Sequence, residues 1–337
     1  MNARKKRIAA MGTALAVIGT TLVAVGAFEE KASADGQITM KIATVAPEGT
    51  PWEKQLRKFK KHVEENTDSK VQVKMFMGGS LGGEKALVRR TAQGSVQVFG
   101  GSTAALGSVV QELNVIESPF LFDSYAEADR ALDGAAKQEV SRLVGRRGFK
   151  FGFWAENGFR SWYTKDKKIR KPGDLAGLRM RSQEAKVHLE SYRAFGASPV
   201  PIDVTNVLTS MQTGVVDGFD NTPLFAFATS WYQPAKHLFL SRHSYQPGIV
   251  VYSKSWYDGL PDDMQQALAN VPDDMVREGR QNVRRMDPIL TRNLERYGIE
   301  VHDPSDAELK PFKKKAKGVP KKVAGKVGGQ RLLRALE

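Results

Sequence analysis

An α/β fold is predicted by two strand–helix–strand runs and supported by a globular composition. Between Ile38 and Phe99, alternating and amphipathic stretches follow one another in strand–helix–strand–helix–strand order, the pattern of a mostly parallel sheet covered by helices. Between Pro172 and Pro223, a second strand–helix–strand run is joined by short Pro- and Gly-marked turns. The 337 residues are 41% hydrophobic and 26% charged, which is ordinary for a globular chain and long enough for two domains.

Each element has its own signal. Ile38, Met40 and Ile42 alternate with polar residues as a first strand,. Thr50-Pro51-Trp52-Glu53 reads as a capping box with proline at the first helical position, and Trp52, Leu56, Phe59 and Val63 then share one helical face,. Val71, Val73 and Met75 alternate as a second strand, a Gly-rich turn leads into a helix over Glu84–Gln93, and Val96–Phe99 is a third strand. The spacing predicts one helix over Tyr125–Val144, a strand over Phe149–Trp154 and a turn over Glu156–Trp162. Leu178 to Arg181 alternates apolar and basic residues. Val207, Leu208 and Met211 mark a helix closed by Gly214, and Val215–Gly218 re-enters a strand that turns out through Phe219–Pro223,. Arg181 and Asn221 thereby fall at strand ends, where open α/β sheets place ligands. Tyr245–Tyr252 is a further strand, and 261–297 is helical with interruptions expected at Pro272 and Pro288.

The two ends differ from the body. Arg4-Lys5-Lys6-Arg7, an apolar run from Ile8 to Phe28, and Ala32-Ser33-Ala34 compose a secretory leader with cleavage expected after Ala34,. The rival reading is an uncleaved anchor, because the run is long; Gly12, Gly19 and Gly26 dilute it and favour cleavage. Of the net +14, residues 1–34 carry +3 and residues 310–337 carry +9, leaving +2 on 35–309. A nucleic-acid binder needs its charge on the folded body, so the distribution argues against that class. The Lys-rich end, 310–337, reads as a flexible tail that either stays solvated or touches anionic lipid or a protein partner, with a helix at Gln330–Leu336 turning Leu332, Leu333 and Leu336 to one face,.

Chemistry-bearing motifs are few. The chain has no cysteine, which removes disulfides, thiolate metal sites and cysteine nucleophiles. No metal-ligand spacing and no phosphate-cradling glycine loop after a strand is present, so neither metal nor cofactor is expected. Gly78-Gly79-Ser80-Leu81-Gly82 fits the nucleophile-elbow pattern between a strand and a helix, making a serine hydrolase through Ser80 the alternative from another class,. Against it, no oxyanion segment precedes Ser80, and none of the five histidines carries a partner signature. The bland reading is a Gly-rich turn.

An ordered set of segments carries a resemblance. It comprises Ser118-Pro119-Phe120-Leu121-Phe122, Asn157-Gly158-Phe159-Arg160, Pro172-Gly173-Asp174-Leu175-Ala176-Gly177-Leu178-Arg179-Met180-Arg181, Gly196-Ala197-Ser198-Pro199-Val200-Pro201, Met211-Gln212-Thr213-Gly214-Val215-Val216-Asp217-Gly218 and Asn221-Thr222-Pro223. Over roughly Ile38 to Tyr257 the chain resembles the substrate-binding proteins of TRAP transporters, the DctP family. The resemblance implies a two-lobed clamshell crossed by the chain more than once. Lobe I would hold 35–158 and 248–290, lobe II 159–247 and 291–309. It implies a periplasmic receptor, not an enzyme, that captures a carboxylate-containing organic acid and hands it to TRAP permease membrane subunits, or alternatively to a chemoreceptor. Arg181 matches the arginine that pairs with the ligand carboxylate, Arg160 a second cleft arginine, and Asn221 the family asparagine. Phe219 beside it and Glu84 at the start of its helix are the further candidates, while Asp217 reads as a turn residue. A guanidinium suits the role because its planar fork matches a carboxylate in two parallel hydrogen bonds. Val204, Asn206 and Leu208, Asp220-Asn221-Thr222, and Ser182-Gln183 depart from the family pattern, so a small dicarboxylate is not assured.

Overall fold

Nine strands form one continuous sheet in a computed structural model describing residues 37–337; the leader and its cleavage point lie outside the described residues. The strands are β1 Ile38–Ala43, β2 Val71–Phe76, β3 Val98–Ser102, β4 Phe149–Thr164, β5 Arg179–Ser182, β6 Ser198–Pro201, β7 Gly218–Asn221, β8 His237–Ser253 and β9 Glu300–His302. Their order is β2-β1-β3-β8-β4-β7-β5-β6, with β9 beside β8. Each flank is parallel, β1 with β2 and β3, and β5 with β6 and β7. The centre is antiparallel, where β8 pairs with β3 and β4, and β4 with β7.

The two central strands are longer than the sequence predicts. β4 runs straight through the turn expected at Glu156–Trp162, and β8 begins at His237, before Tyr245. Register shifts between Phe151 and Phe153, Glu156 and Gly158, and Arg160 and Trp162 explain the misreading, because each bulge breaks the period-two alternation that marks a strand. Gly158 sits at φ +102 beside the Tyr125 hydroxyl and Asp287, a conformation that a side chain would strain,. β4 and β8 are thus shared by both halves of the sheet. The expected lobe boundaries at 158/159 and 247/248 fall inside them, and that at 290/291 falls inside the helix Asp273–Arg296.

The helices cover the faces. In Pro51–Asn66 the Thr50 hydroxyl accepts from the Glu53 amide, but the Glu53 carboxylate takes the Gly49 amide at 2.6 Å, a shifted form of the expected box. Trp52, Leu56, Phe59 and Val63 of that helix are buried with Met40, Ile42, Val250 and Tyr252. Tyr125–Val144 is two helices, because Gly134 takes ψ −134 and ends the first. Asp273–Arg296 continues through Pro288; the proline ring is exposed there and removes one intrahelical donor without a packed neighbour to displace,. In the second half, Val215 is exposed and the strand starts at Gly218, three residues later than expected.

The basic end corrects a further expectation. Residues 310–337 are not a flexible tail: Asp306–Ala316, Val319–Val327 and Gln330–Leu336 are helices. Phe312, Val319, Val323, Leu332, Leu333 and Leu336 are buried. Phe312 packs with Trp162, Phe195 and Phe239 of the second half, while Gln330–Leu336 lies on Ala135–Gly145 of the first. Lys322 and Lys326 pair with Glu190, and Arg331 with Glu139, all at 2.7–3.0 Å. Lysines dominate the composition, but one apolar position per turn supplies the helix faces.

Candidate functional site

Strand alternation sets the site. In β5, Met180 points into the core with Trp162 and Phe195, so Arg181 points to the opposite face,. Arg181 is only 3% exposed, yet among the described residues no carboxylate forms an ion pair with it. Its Nε donates to the Ile202 carbonyl at 3.0 Å, and its guanidinium lies 5.2 Å over the Trp231 ring. Burial, followed by the neighbouring Arg160 charge, pushes its pKa down to about 10. Such a group gains from an incoming anion.

Arg160 occupies a different environment. It is buried on β4 and fully engaged at each nitrogen: Nε donates to Asp220 Oδ2 at 2.6 Å, Nη2 to the Asp220 carbonyl at 2.6 Å, and Nη1 to Gln246 Oε1 at 2.8 Å. Asp220 also accepts from the Tyr192 hydroxyl at 2.7 Å and lies 3.4 Å from His243 Nε2. Burial raises the Asp220 carboxyl, but the Arg160 charge and the His243 hydrogen bond outweigh it and hold the group well below the usual carboxylate range. Arg160 is therefore anchored within the protein and adds positive potential beside Arg181.

Glu84 opens the helix Glu84–Ala92 and faces Arg181's side of the sheet. Its carboxylate accepts from the Ser102 amide at 2.7 Å, the Ser102 hydroxyl at 3.0 Å and Gln183 Nε2 at 2.9 Å. Burial raises its pKa against those bonds. Gln183, just past β5, is thus tied to β3 in the other half, and Lys85–Glu184 at 3.2 Å crosses the same seam. Gln246 Nε2 continues the network, donating to Gln183 Oε1 at 3.0 Å and Glu117 Oε2 at 2.6 Å. Asn157 donates to Gln246 Oε1 as well. The sequence reading missed Gln183 and Gln246. Gln183 was visible only as a departure from the family pattern, and Gln246 lies in a strand with no marker.

Two small cavities meet at Glu84. One, about 20 Å³, is lined by Glu84, Lys85, Arg181, Gln183, Ile202 and Asp203 among others; the other, about 30 Å³, by Thr44, Trp52, Ser102, Asn157 and Phe225 beside Glu84. Asn221 is buried near the end of β7, its Oδ1 accepting from the Thr222 amide at 2.8 Å. Phe219 borders neither cavity. It stacks on Tyr163 at 4.6 Å and meets Trp231 edge-on at 5.5 Å, so it backs the ring beneath Arg181. Asp217 pairs with Arg179, as a turn residue would.

A larger groove, about 540 Å³, lies beside Arg277, Arg280 and Arg284, but Asp129, Asp133 and Glu156 already pair with the last two. Its two most buried arginines are therefore already matched by carboxylates of the protein. Ser80 is exposed in a turn, and its hydroxyl has no histidine partner among the described residues, so the elbow pattern lies in a Gly-rich turn and nothing around it supports the hydrolase alternative. No cluster among the described residues could hold a metal ion, and no described helix is long and apolar enough to cross a membrane.

Comparison with known proteins identifies this architecture. Residues 42–326 match the family DctP, bacterial extracellular solute-binding protein, family 7. The C4-dicarboxylate-binding periplasmic protein DctP of Rhodobacter capsulatus is 31% identical over 233 residues, 68% of this chain and 69% of that protein. Two solved structures superpose with a TM-score of 0.84, each covering 89% of this chain and 98% of the other. One is the sugar acid binding protein DctPAm of Advenella mimigardefordensis in complex with galactonate, at 26% identity. The other is a TRAP periplasmic solute binding protein of Polaromonas sp JS666 bound to D-erythronate, at 27% identity. The two-lobed fold is that of these receptors, and the chain belongs to the DctP family of TRAP-type extracellular solute-binding proteins.

Proposed function

We propose that this protein captures a carboxylate-bearing organic acid between the halves of its sheet and presents it to the membrane subunits of a TRAP permease. It carries out no bond chemistry. The observation behind this reading is Arg181: a buried guanidinium, held on Trp231, with no carboxylate partner of its own. A ligand carboxylate supplies the missing charge in a site from which water is excluded, where a forked pair is strong. Cavities of about 20 and 30 Å³ each admit about one water,. The halves therefore part to admit the acid, bending along β4, β8 and the helix Asp273–Arg296, and close over it.

Glu84 narrows the ligand class. Its carboxylate borders both cavities and accepts hydrogen bonds. It favours hydroxyl donors and repels a second carboxylate, so a hydroxylated monocarboxylic acid fits better than a C4 dicarboxylate. The galactonate and D-erythronate complexes support that class, and the dicarboxylate-binding relative is its counterweight. Asn221 orients the acid from the end of β7, and Arg160 reinforces the positive potential. For a receptor working outside the cytoplasm the leader is removed after Ala34 in this reading, so mass spectrometry of exported protein should find Asp35 first, and an intact Met1 in a membrane fraction would indicate the anchor instead.

The deciding experiment is thermal-shift and calorimetric titration with galactonate, erythronate, succinate and the neutral amide of galactonate. Stabilisation by the sugar acids and not by the amide is expected. Equal response to acid and amide, or no response to any carboxylate, overturns the reading.

A further inference from the structure

A groove of about 1000 Å³, away from Arg181, is walled on one side by Pro119–Leu121 and Asp123 and on the other by the helices Asp306–Ala316 and Val319–Val327. Its recessed surface includes half-buried Phe120, Leu121 and Pro320, whereas Lys310, Lys314, Lys317 and Lys321 stand exposed around it with Pro311 and a single unpaired carboxylate side chain, Glu337. None of these four lysines forms an ion pair among the described residues, unlike Lys313, which pairs with Asp123, or Lys322 and Lys326, which pair with Glu190. The body over 35–309 is close to neutral, so this is where the folded chain concentrates uncompensated charge.

Phe120 is a second sign of a built surface. It holds a left-handed backbone at φ +52, unusual for an aromatic residue, with its amide donating to the His243 carbonyl at 2.7 Å and its ring edge-on to Phe195 and 5.9 Å from Lys313 Nζ. Backbone strain of this kind persists only where surrounding contacts hold it.

We propose that this groove docks an acidic polypeptide segment of a partner protein, one that places an apolar side chain against Phe120 and Leu121 and carboxylates against the lysines. Shape selects this occupant over a membrane. A bilayer surface meets protruding groups, whereas the apolar residues here are recessed behind the lysines and accessible to an inserted side chain. Lysine ammoniums on flexible stems suit scattered carboxylates, since they impose no fork geometry.

The test uses the full chain and a fluorescently labelled Glu-rich peptide carrying a central leucine pair, read by anisotropy. Lys314→Glu/Lys317→Glu should weaken binding by about tenfold or more and flatten its salt dependence, because rim charges govern encounter and screening. Lys315→Glu/Arg334→Glu makes the same charge change at exposed positions outside the groove and should leave binding within about twofold of wild type. A serine-for-leucine peptide should bind more weakly than the leucine peptide. Four results overturn the proposal: no peptide binding; equal losses in both double variants; equal binding of the serine peptide; or capture of phosphatidylglycerol vesicles, with the same lysine dependence, in place of the peptide. Thermal unfolding and galactonate titration of each variant verify that the fold and the acid site remain intact, so failure here is separable from failure of the proposed function.

Discussion

Replacing Arg181 separates the site's electrostatics from its packing. Arg181→Met keeps an unbranched stem beside Trp231 and removes a guanidinium that burial and Arg160 hold down to about 10, well below its ordinary range. For a base, a depressed folded pKa means that the charged form is disfavoured in the folded state, here by about 3 kcal/mol at 1.36 kcal/mol per unit. The ligand-free variant should therefore unfold at a higher temperature than wild type at pH 7, even with the Ile202 hydrogen bond lost. Its affinity should move the other way. Truncating one side of a desolvated charge pair costs about 2–5 kcal/mol, roughly 30- to several-thousand-fold in dissociation constant. Arg181→Lys should bind nearly as poorly, since it keeps the charge and loses the fork. Calorimetric titration with galactonate, or whichever acid stabilises the wild type, measures the affinity, and ligand-free differential scanning calorimetry measures the stability. If Arg181→Lys binds like wild type, or Arg181→Met unfolds earlier without ligand and binds unchanged, Arg181 is a packing residue and the clamp argument is wrong.

Three further outcomes are expected. Asp220→Ala leaves Arg160 buried without its carboxylate and should cost about 3–5 kcal/mol in urea unfolding; a loss within error would mean that the pair is replaceable by water. Burial pushes Asp287 up to about 6 against the Tyr125 hydrogen bond, so the folded state binds the extra proton and wild-type stability falls as pH rises from about 4 through about 6. Asp287→Asn should match wild type near pH 4 and exceed it at pH 7 by at most about 3 kcal/mol; parallel pH profiles would refute the shift. Leu333→Ala, in the terminal helix packed on Ala135–Gly145, should destabilise by about 2–5 kcal/mol, whereas a free tail would leave chemical denaturation unchanged.

Local signals made the flanks and Arg181 legible, and long-range pairing obscured the rest. Leu178 and Met180 alternate with basic residues, so placing Arg181 at a strand end required only its neighbours. Arg160 was identifiable as a cleft arginine, but its lock on Asp220 joins residues sixty positions apart, and nothing local distinguishes an anchored arginine from a free one. The β4 segment Glu156–Trp162 reads as a turn because its bulges scramble the alternation that the rest of the strand preserves. Phe219 shares a strand face with Asn221 two residues on, but its ring is taken up by Tyr163 and Trp231, long-range contacts that no local signal reveals. In the terminal region, composition masked periodicity: Leu332, Leu333 and Leu336 were read as a face, whereas Phe312, Val319 and Val323 were lost among the lysines.

The placement of the terminal helix also affects the order in which the protein can be assembled. Ala135–Gly145 belongs to the first half of the sheet, yet Leu332, Leu333 and Leu336 cover it and Arg331 reaches Glu139 at 3.0 Å. A chain emerging amino end first displays Val140, Leu143 and Val144 long before their cover arrives. Strands β4 and β8 impose a similar delay, since β3 waits for residues 248–252 before its second edge is paired. The first half is therefore the earliest made and among the last completed. Through that interval its apolar helix face and open strand edge are available to a holding chaperone and vulnerable to aggregation. The topology thus keeps a growing chain unfinished, and threadable, until residues 330–336 have appeared.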